Sequence, residues 1–256
     1  MNDPLRLDGR TLVITGAAQG IGLALGRLAI RFGACVVGVD LNEQGLKEAG
    51  LPPDRFLLVC GDVADPQTAQ RAVQEGVSTF GAVHGLISNA GVTRPALIEK
   101  MTREQWQLVL DVHLTGSFYF MQAVGRHLIE RARAGDKNPG SLILVSSDAG
   151  RRGSLGQINY SAAKAGMFGM AMTAAREWAK YNIRANAVCF GVVETAMTEL
   201  VRTDERFRET YLAQIPLGRW STPEEAATPV LFLLSDAASY ITGQVISVNG
   251  GYTISV

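Results

Sequence analysis

Short apolar runs alternate with longer helical segments along the whole chain, and this alternation predicts an α/β fold. Seven runs are almost continuously apolar, as expected for strands that are covered on both faces. Their order predicts a doubly wound sheet of seven parallel strands, with helices on both faces and right-handed crossovers. The predicted strands occupy residues 11–15, 35–39, 56–60, 85–88, 141–145, 184–188 and 245–248.

Signals for helix starts lie between these runs. Asp65 is followed by Pro66, which suits an N-cap with proline at the first helical position. Thr102 and Thr222 each precede a Gln or Glu by three residues, which is the spacing of a capping box. The chain contains no internal repeat, low-complexity segment or linker, so we predict one domain over residues 1–256.

The composition excludes several classes of function. A formal net charge of zero argues against a nucleic-acid partner and leaves little electrostatic resistance to self-association. The N-terminus has no basic segment followed by an apolar one, and no apolar run reaches membrane-spanning length, so we expect a cytoplasmic protein. Cys35, Cys60 and Cys189 lie in or beside apolar runs, and we expect them to be buried thiols rather than metal ligands.

A glycine-rich turn follows the first predicted strand. Gly16, Gly20 and Gly22 stand where this strand gives way to a helix. Glycine permits positive φ and close backbone approach, and a helix N-terminus offers free N–H groups and a partial positive charge to a pyrophosphate. An ordinary turn is the alternative, but the position in the first βα unit favours a dinucleotide site of the Rossmann type.

Asp40 ends the second predicted strand, 18 positions after Gly22. A carboxylate at this point can accept hydrogen bonds from the hydroxyls of an adenosine ribose, and it would repel a 2′-phosphate. We therefore predict NAD(H) rather than NADP(H) as the cofactor. The neighbouring positions that could neutralise such a phosphate are uncharged: Ala17, Ala18, Gln19 and Leu41.

Tyr160 and Lys164 open a predicted helix, and their spacing of four places both side chains on one face, one turn apart. A nearby ammonium group favours the phenolate and lowers the pKa of a tyrosine, which suits acid–base chemistry at neutral pH. The same spacing is common on exposed amphipathic helices. The pair therefore gains meaning only from the motifs around it, among them Ser147 after the fifth strand.

Taken together, these motifs resemble those of the short-chain dehydrogenase/reductase family. The similarity runs from residue 11 to residue 251 and includes the interval of 13 positions between Ser147 and Tyr160. It implies a Rossmann fold and a nicotinamide-dependent oxidoreductase that interconverts a carbonyl and an alcohol. The other matching segments are Asp62-Val63, Asn89-Ala90-Gly91, Gly243-Gln244 and Asn249-Gly250-Gly251.

The resemblance implies a role for each matching residue. Tyr160 donates a proton to the carbonyl oxygen during reduction, and Ser147 orients that oxygen. Lys164 lowers the pKa of Tyr160 and binds the nicotinamide ribose, while Thr195 meets the nicotinamide carboxamide. Further cofactor contacts are expected at Gly16, Gln19, Gly20, Ile21, Gly22, Asp40, Leu41, Asp62, Val63, Asn89, Ala90, Gly91, Gly191 and Val193.

Two positions depart from the family pattern. His113 replaces an Asn that helps to hold a water in the proton relay behind the lysine. Histidine has ring nitrogens that could serve this purpose, although a buried histidine bonded to a carbonyl is the alternative. Phe190 replaces the usual Pro before Gly191, and we expect its ring beside the nicotinamide. The remaining histidines, His84 and His127, are interpreted as surface residues.

Within the family, the chain most resembles bacterial 3-oxoacyl-acyl-carrier-protein reductases, at residues 89–94, 156–160 and 216–225. Those reductases typically use NADPH, so Asp40 argues against a housekeeping role in fatty-acid synthesis. We predict a 3-oxoacyl thioester or a related β-ketoester as substrate, in reduction or in the reverse oxidation. Substrate contacts are expected at Arg94, Gln157 and Phe190, beneath a covering segment at about residues 191–215.

Two other classes of function are considered. One is a dehydrogenase of a secondary alcohol, sugar or cyclic compound, and the other is a non-catalytic NAD-binding scaffold, which the intact Ser147, Tyr160 and Lys164 disfavour. The resemblance also implies a homotetramer whose main interface uses the helices that begin near Glu104 and Tyr160. Docking of an acyl carrier protein stays open, since Tyr181 stands where those reductases often carry Arg.

Overall fold

The computed structural model describes residues 3–254. Seven parallel strands form one sheet in the order β3-β2-β1-β4-β5-β6-β7. The strands are β1 Thr11–Thr15, β2 Cys35–Asp40, β3 Phe56–Cys60, β4 Gly85–Ser88, β5 Gly140–Ser147, β6 Ile183–Phe190 and β7 Val245–Val248. The α-helices are α1 Gly20–Arg31, α2 Glu43–Glu48, α3 Pro66–Phe80, α4 Arg103–Leu110, α5 Gly116–Arg133, α6 Ala149–Arg152, α7 Ile158–Trp178, α8 Glu199–Thr203, α9 Glu205–Leu212 and α10 Pro223–Leu234.

The predicted fold class is confirmed, and three strands extend beyond their predicted ends: β2 by one residue, and β5 and β6 at both ends. β5 and β6 pair continuously from Gly140 opposite Ile183 to Ser147 opposite Phe190. The extension of β5 adds the polar Ser147, which an apolar pattern does not mark as strand. The chain order reverses between β1 and β4, and in open α/β sheets ligands bind at such a switch point, beyond the carboxyl ends of the strands.

A hydrophobic core lies on each face of the sheet. Leu12 and Ile14 of β1 belong to the core beneath α1 and α10, whereas Val13 belongs to the core beneath α3, α5 and α7. This alternation follows from the two-residue repeat of a strand. Because both faces of the sheet are covered, odd- and even-numbered residues of a strand alike face a core and are apolar. This explains the continuously apolar runs.

The helix-start predictions are confirmed. The Asp65 side chain accepts a hydrogen bond from the Gln67 amide at the start of α3. Thr102 and Thr222 form reciprocal capping boxes at the starts of α4 and α10. Each cap satisfies amide groups that the first turn of a helix leaves without partners. None of the helices within residues 3–254 combines the length and apolarity that a bilayer crossing requires.

The segment after β6 contains more regular structure than its sequence indicates. A 3₁₀ turn at Ala196–Thr198 leads into α8, and α9 follows at once. Asp204 caps α9 by accepting a hydrogen bond from the Arg206 amide. Both helices are short and polar, so neither has the apolar repeat that predicts a helix.

His84 and His127, predicted as surface residues, are half-buried, and both rings are bonded to the backbone. His84 Nδ1 accepts a hydrogen bond from the Thr11 amide at 3.0 Å, and His127 Nε2 accepts one from the Val83 amide at 3.1 Å. Both histidines support the amino-terminal edge of the sheet, and an accepting nitrogen must be unprotonated. Burial, reinforced by the Arg131 guanidinium, lowers the pKa of both, to about 4 for His84.

Stability is expected to fall as the pH drops from about 6.5 towards 4. In this window the unfolded chain protonates His84 while the folded chain, with a pKa of about 4, does not, so protons favour unfolding. After allowance for solvent screening, His84 contributes about 2 kcal/mol to this loss. Urea unfolding at several pH values measures it.

The matched variant is His84→Asn, whose Oδ1 can accept the same amide hydrogen without titrating. The unfolding free energy of this variant should depend less steeply on pH than that of the wild type. The pH dependence that remains comes from the other titrating groups, such as the remaining histidines. An unchanged slope in the variant would show that His84 is not a titrating group in this window.

Candidate active site

A cavity of about 580 Å³ opens at the carboxyl ends of the strands. The glycine turn and the ends of several strands form its wall, together with α7 and the segment that follows β6. Every residue predicted to contact the cofactor lines this cavity: Gly16, Gln19, Gly20, Ile21, Gly22, Asp40, Leu41, Asp62, Val63, Asn89, Ala90, Gly91, Tyr160, Lys164, Gly191, Val193 and Thr195.

The glycine turn fits a pyrophosphate. Gly16 and Gly20 have φ values of 68° and 53°, which favour glycine. A Cβ on Gly22 would lie 1.8 Å from the Gly16 carbonyl oxygen, so a side chain there would force the turn apart. The first turn of α1 carries no acidic residue, and Gln19 makes no side-chain cap. The helix therefore presents its N-terminal amides and its partial positive charge without a competing anion.

Asp40 stands at the edge of the cavity with its carboxylate held by backbone amides. One oxygen accepts from the Ala18 amide and the other from the Asn42 amide, both at 3.0 Å. These bonds join the end of β2 to the glycine turn. They also fix the orientation of the carboxylate at the edge of the cavity.

Asn89 and Thr15 connect the glycine turn to the end of β4. The Thr15 hydroxyl accepts hydrogen bonds from the Asn89 and Ala90 amides at 2.9 and 3.0 Å. The Asn89 side chain donates to the carbonyls of Thr15 and Gly16. Two neighbouring walls of the cavity are therefore held in register across the switch point.

Ser147 and Tyr160 meet at the inner end of the cavity. Ser147 ends β5, and Tyr160 lies in the first turn of α7. Burial raises the pKa of Tyr160, and a hydrogen bond with Ser147 opposes this effect without overcoming it. Among the protein's own groups burial dominates and favours the neutral phenol. The prediction that Lys164, together with an oxidised nicotinamide, lowers the pKa of Tyr160 stays a prediction.

Lys164 is almost completely buried behind Tyr160. Its ammonium nitrogen lies 5.5 Å from the centre of the Tyr160 ring and donates to the Val145 carbonyl at 2.6 Å. The Ser146 hydroxyl donates to the Lys164 carbonyl at 2.7 Å, which joins α7 to β5. Burial lowers the pKa of Lys164 to about 7, so charged and neutral forms both exist near neutral pH.

His113 lies in a π-helical turn between α4 and α5, with its ring edge-on to Tyr160 at a centroid distance of 5.2 Å. Its Nε2 is 2.8 Å from the Val92 carbonyl oxygen, while Nδ1 is buried without a protein partner. Burial, with a further contribution from Lys164, lowers its pKa to about 3. Gly91 must remain glycine, because a Cβ there would lie 2.4 Å from the ring.

Asn159 holds the start of α7, and its importance is visible only in the structure. The fully buried side chain donates to the carbonyls of Arg94 and Gln105 at 3.0 Å and accepts from the Tyr160 amide at 2.8 Å. It thus anchors the tyrosine to two loops that are distant in sequence. The only available signal was a polar residue next to Tyr160 at the start of a helix.

The three residues predicted to contact the substrate are placed differently. Phe190 lines the cavity, although only 4% of its surface is exposed and most of its ring belongs to the core. Arg94 and Gln157 do not line the cavity. Gln157 pairs with Ala96 in an isolated bridge beside it. Lining residues that sequence reasoning missed are Gly61, Val92, Val112, Val145 and Ser146. Glu194, Ala196, Met197 and Thr198 also line the cavity and belong to the predicted covering segment.

Comparison with known proteins gives consistent matches. A family model described as Enoyl-(Acyl carrier protein) reductase matches residues 16–253. The 3-oxoacyl-acyl-carrier-protein reductase of Thermotoga maritima is 44% identical over 98% of this chain and 100% of its own length. The acetoacetyl-CoA reductase of Synechocystis sp. is 39% identical, with coverage of 97% and 98%. A Beutenbergia cavernae structure, provisionally assigned as an NAD(P)-dependent gluconate 5-dehydrogenase with NADP at low occupancy, has a TM-score of 0.88, 32% identity and coverage of 98% and 99%.

The fold, the glycine turn and the cavity define a dinucleotide-dependent oxidoreductase of the α/β class, which acts on CH–OH and C=O groups. The chain belongs to the short-chain dehydrogenase/reductase family, since the family model covers most of its length and relatives align from end to end. The resemblance inferred from the motifs is thereby confirmed. Members of this family use nicotinamide cofactors, and the cavity has the glycine cradle and helix terminus that such a cofactor needs.

Proposed function

We propose that the protein is an NAD(H)-dependent reductase of 3-oxoacyl thioesters or related β-ketoesters, or catalyses the reverse oxidation of the 3-hydroxy compound. The observation that carries the proposal is that Ser147, Tyr160 and Lys164 line the same cavity as the glycine turn. The names of the Thermotoga maritima and Synechocystis relatives support this substrate class.

Each of the three residues has a distinct role in the proposed reaction. A bound nicotinamide supplies or accepts the hydride. Because burial raises its pKa, Tyr160 stays protonated at neutral pH and donates a proton to the carbonyl oxygen during reduction. The Ser147 hydroxyl orients that oxygen. Lys164 binds the nicotinamide ribose, and a pKa of about 7 allows it to pass on the proton that Tyr160 needs.

NAD(H) is the proposed cofactor rather than NADP(H). A carboxylate at the end of β2 favours ribose hydroxyls and repels a 2′-phosphate. Asp40 is held there by two amides, so it cannot easily turn away. Among the cavity-lining residues of the described chain, Lys164 is the one Lys or Arg, and it lies at the opposite, catalytic end.

Residues 191–215 are the proposed substrate cover. Residues 193–198 line the cavity, and Met197 is 51% exposed at its mouth, where it is free to contact a ligand. α8 and α9 continue from this wall. Phe190 would pack beside the nicotinamide, while Arg94 and Gln157 would meet only a substrate that extends beyond the cavity.

A dehydrogenase of a secondary alcohol, sugar or cyclic compound is the second candidate. The Beutenbergia cavernae structure, with its gluconate assignment, favours it, because the same fold there is associated with a polyol-type substrate. A panel of 3-oxoacyl thioesters and polyols, each with NADH or NAD as appropriate, separates the two candidates.

We also propose a cytoplasmic homotetramer that uses α4 and α7 as its main interface. Leu108 of α4 and Met172 of α7 are large apolar side chains with exposed fractions of 40% and 45%, which suits a covered face. Docking of an acyl carrier protein is a further proposed interaction, for which the exposed Arg133 and Lys137 supply basic groups. Arg131 is already paired with Asp136 and bonded to the Val83 and Pro139 carbonyls. Light scattering measures the assembly.

The Tyr160→Phe variant tests the proposed chemistry. It removes the proton donor and keeps the ring that packs against His113, so NADH affinity should stay within about threefold of wild type. Reduction of acetoacetyl-CoA with NADH should fall at least about 1,000-fold in kcat. Activity in the variant close to that of wild type would refute the role of Tyr160.

Asp40 is expected to set the cofactor preference. In the wild-type protein, kcat/KM should be at least about tenfold higher with NADH than with NADPH. The reason is the repulsion between the Asp40 carboxylate and the 2′-phosphate of NADPH. Asp40→Asn should narrow this ratio, whereas Asp54→Asn, at an exposed site, should leave it unchanged. A wild-type preference for NADPH would contradict the assignment of NAD(H).

His113 is proposed to hold a water behind Lys164 through its unpartnered Nδ1. His113→Asn, which restores the usual family residue, should keep kcat within about tenfold of wild type, while His113→Leu removes both ring nitrogens and should lose more. The pH profile of kcat should shift only in the Leu variant. Two variants with identical profiles would show that His113 has a packing role only.

A further inference from the structure

Three neighbouring strands of the sheet end at the same level. Ser147 of β5 is paired with Phe190 of β6, and Phe190 is paired with Val248 of β7. The next residues in the chain, Asp148, Gly191 and Asn249, therefore lie side by side just beyond the sheet. Asp148 follows the proposed carbonyl-orienting serine, and Gly191 begins the proposed nicotinamide-binding segment.

Asp148 and Asn249 bond to each other across the end of β6. The Asn249 side-chain nitrogen lies 2.9 Å from both carboxylate oxygens of Asp148. Asp148 is only 3% exposed, so its carboxylate is shielded from water, and Asn249 is half-buried. Asp148 also stands at the N-cap position of α6, where aspartate commonly bonds to the helix amides, but here its side chain makes no such bond. The carboxylate is committed to Asn249 instead.

The backbone around Asp148 is held as well. Its amide donates to the Phe190 carbonyl at 3.1 Å, and its carbonyl accepts from the Arg151 and Arg152 amides at 3.0 Å. A displacement of the Asp148 side chain would therefore move the strand end that carries Ser147.

Asn249 is held equally firmly on its side. Its Oδ1 accepts from the Gly251 amide at 3.0 Å, and its nitrogen also donates to the Thr253 carbonyl at 3.2 Å. A Cβ on Gly191 would lie 2.9 Å from the Cβ of Asn249, so Asn249 packs directly on the Gly191 backbone. The position of Asn249 consequently limits where Gly191 can lie.

The charge of Asp148 needs its partners. Burial raises the pKa of this carboxyl above its ordinary value, and the hydrogen bond from Asn249 and the charges of Arg151 and Arg152 oppose this effect without overcoming it. An amide facing a carboxylate is a favourable pair, whereas two carboxylates at this distance would repel each other. A carboxylate at one of the two positions therefore requires an amide at the other.

We propose that Asp148 and Asn249 are positioning residues that set the distance between Ser147 and the segment beginning at Gly191. The inference rests on the proposed function, in which the first residue orients the carbonyl and the second borders the nicotinamide. Hydride transfer depends steeply on this separation, and a displacement of about 1 Å can lower the rate about 100-fold.

A reciprocal exchange tests the proposal with acetoacetyl-CoA and NADH. Asn249→Asp places two carboxylates together and should lower kcat about 100-fold, and Asp148→Asn, which loses the charge, should lower it about tenfold. The double variant Asp148→Asn/Asn249→Asp restores one amide and one carboxylate. Its kcat should return to within about tenfold of wild type, incompletely because the Thr253 carbonyl loses its donor. Asp54→Asn is the control.

Three readouts separate positioning from simple stability. KM for the carbonyl substrate and the affinity for NADH, measured by fluorescence, should change less than about threefold while kcat falls. The Tm of the double variant should exceed that of Asn249→Asp. If Asn249→Asp does not fold, the nearly isosteric Asp148→Asn decides the matter, and an unchanged kcat in that variant overturns the proposal.

Failure of this proposal differs from failure of the proposed function. If the wild type is active and the loss of kcat in the double variant equals the product of the losses in the two single variants, the positioning role is overturned. A wild type that binds NADH and reduces no 3-oxoacyl thioester would overturn the proposed substrate class, and the carbonyl or polyol that it does accept then replaces acetoacetyl-CoA in the same exchange.

Discussion

The parallel pairing of β5 with β6 is the constraint on which the geometry of the candidate active site depends. Every residue of Gly140–Ser147 is paired with a residue of Ile183–Phe190, without a break. The pairing places Ser147 level with Phe190 at the carboxyl edge of the sheet. α7 is joined to the same ladder where the Ser146 hydroxyl bonds to the Lys164 carbonyl. The serine, the tyrosine and the lysine thus depend on one pair of strands for their relative positions, although they come from two separate elements.

Burial determines the protonation states in this site. It raises the pKa of Tyr160 and lowers those of Lys164 and His113, so each group is shifted towards its neutral form. This arrangement suits a proton donor at Tyr160 in a carbonyl reduction. It also means that the positive charge needed to stabilise a phenolate in the reverse direction must be strengthened by the oxidised nicotinamide when that group is bound.

Close backbone approach is the second constraint on the cavity. Gly22 lies against the Gly16 carbonyl, Gly91 against the His113 ring and Gly191 against Asn249. In each case a Cβ would displace a wall of the cavity. The His113 ring fills the space that Gly91 leaves, so these two positions form a matched pair that a change at either one would disturb.

Local pattern was sufficient to predict much of the molecule. Apolar runs identify the strands of a sheet covered on both faces, and capping boxes at Thr102 and Thr222 identify helix starts, because both depend on neighbours in the chain. The motif spacings likewise identified the residues that meet in the cavity. They did not identify α8 and α9, whose short polar sequences carry no periodic signal.

The sequence by itself determined the fold class, the family, and the place of the glycine turn, Ser147, Tyr160 and Lys164 at one cavity, since these follow from periodicity and motif spacing. Only the tertiary structure decided the direction of the Tyr160 pKa shift, the inward placement of His84, and the partners of Asn159 and Asp148. The physical reason is that burial and hydrogen bonding between distant segments depend on which elements pack together. That packing cannot be derived from the order of residues along the chain.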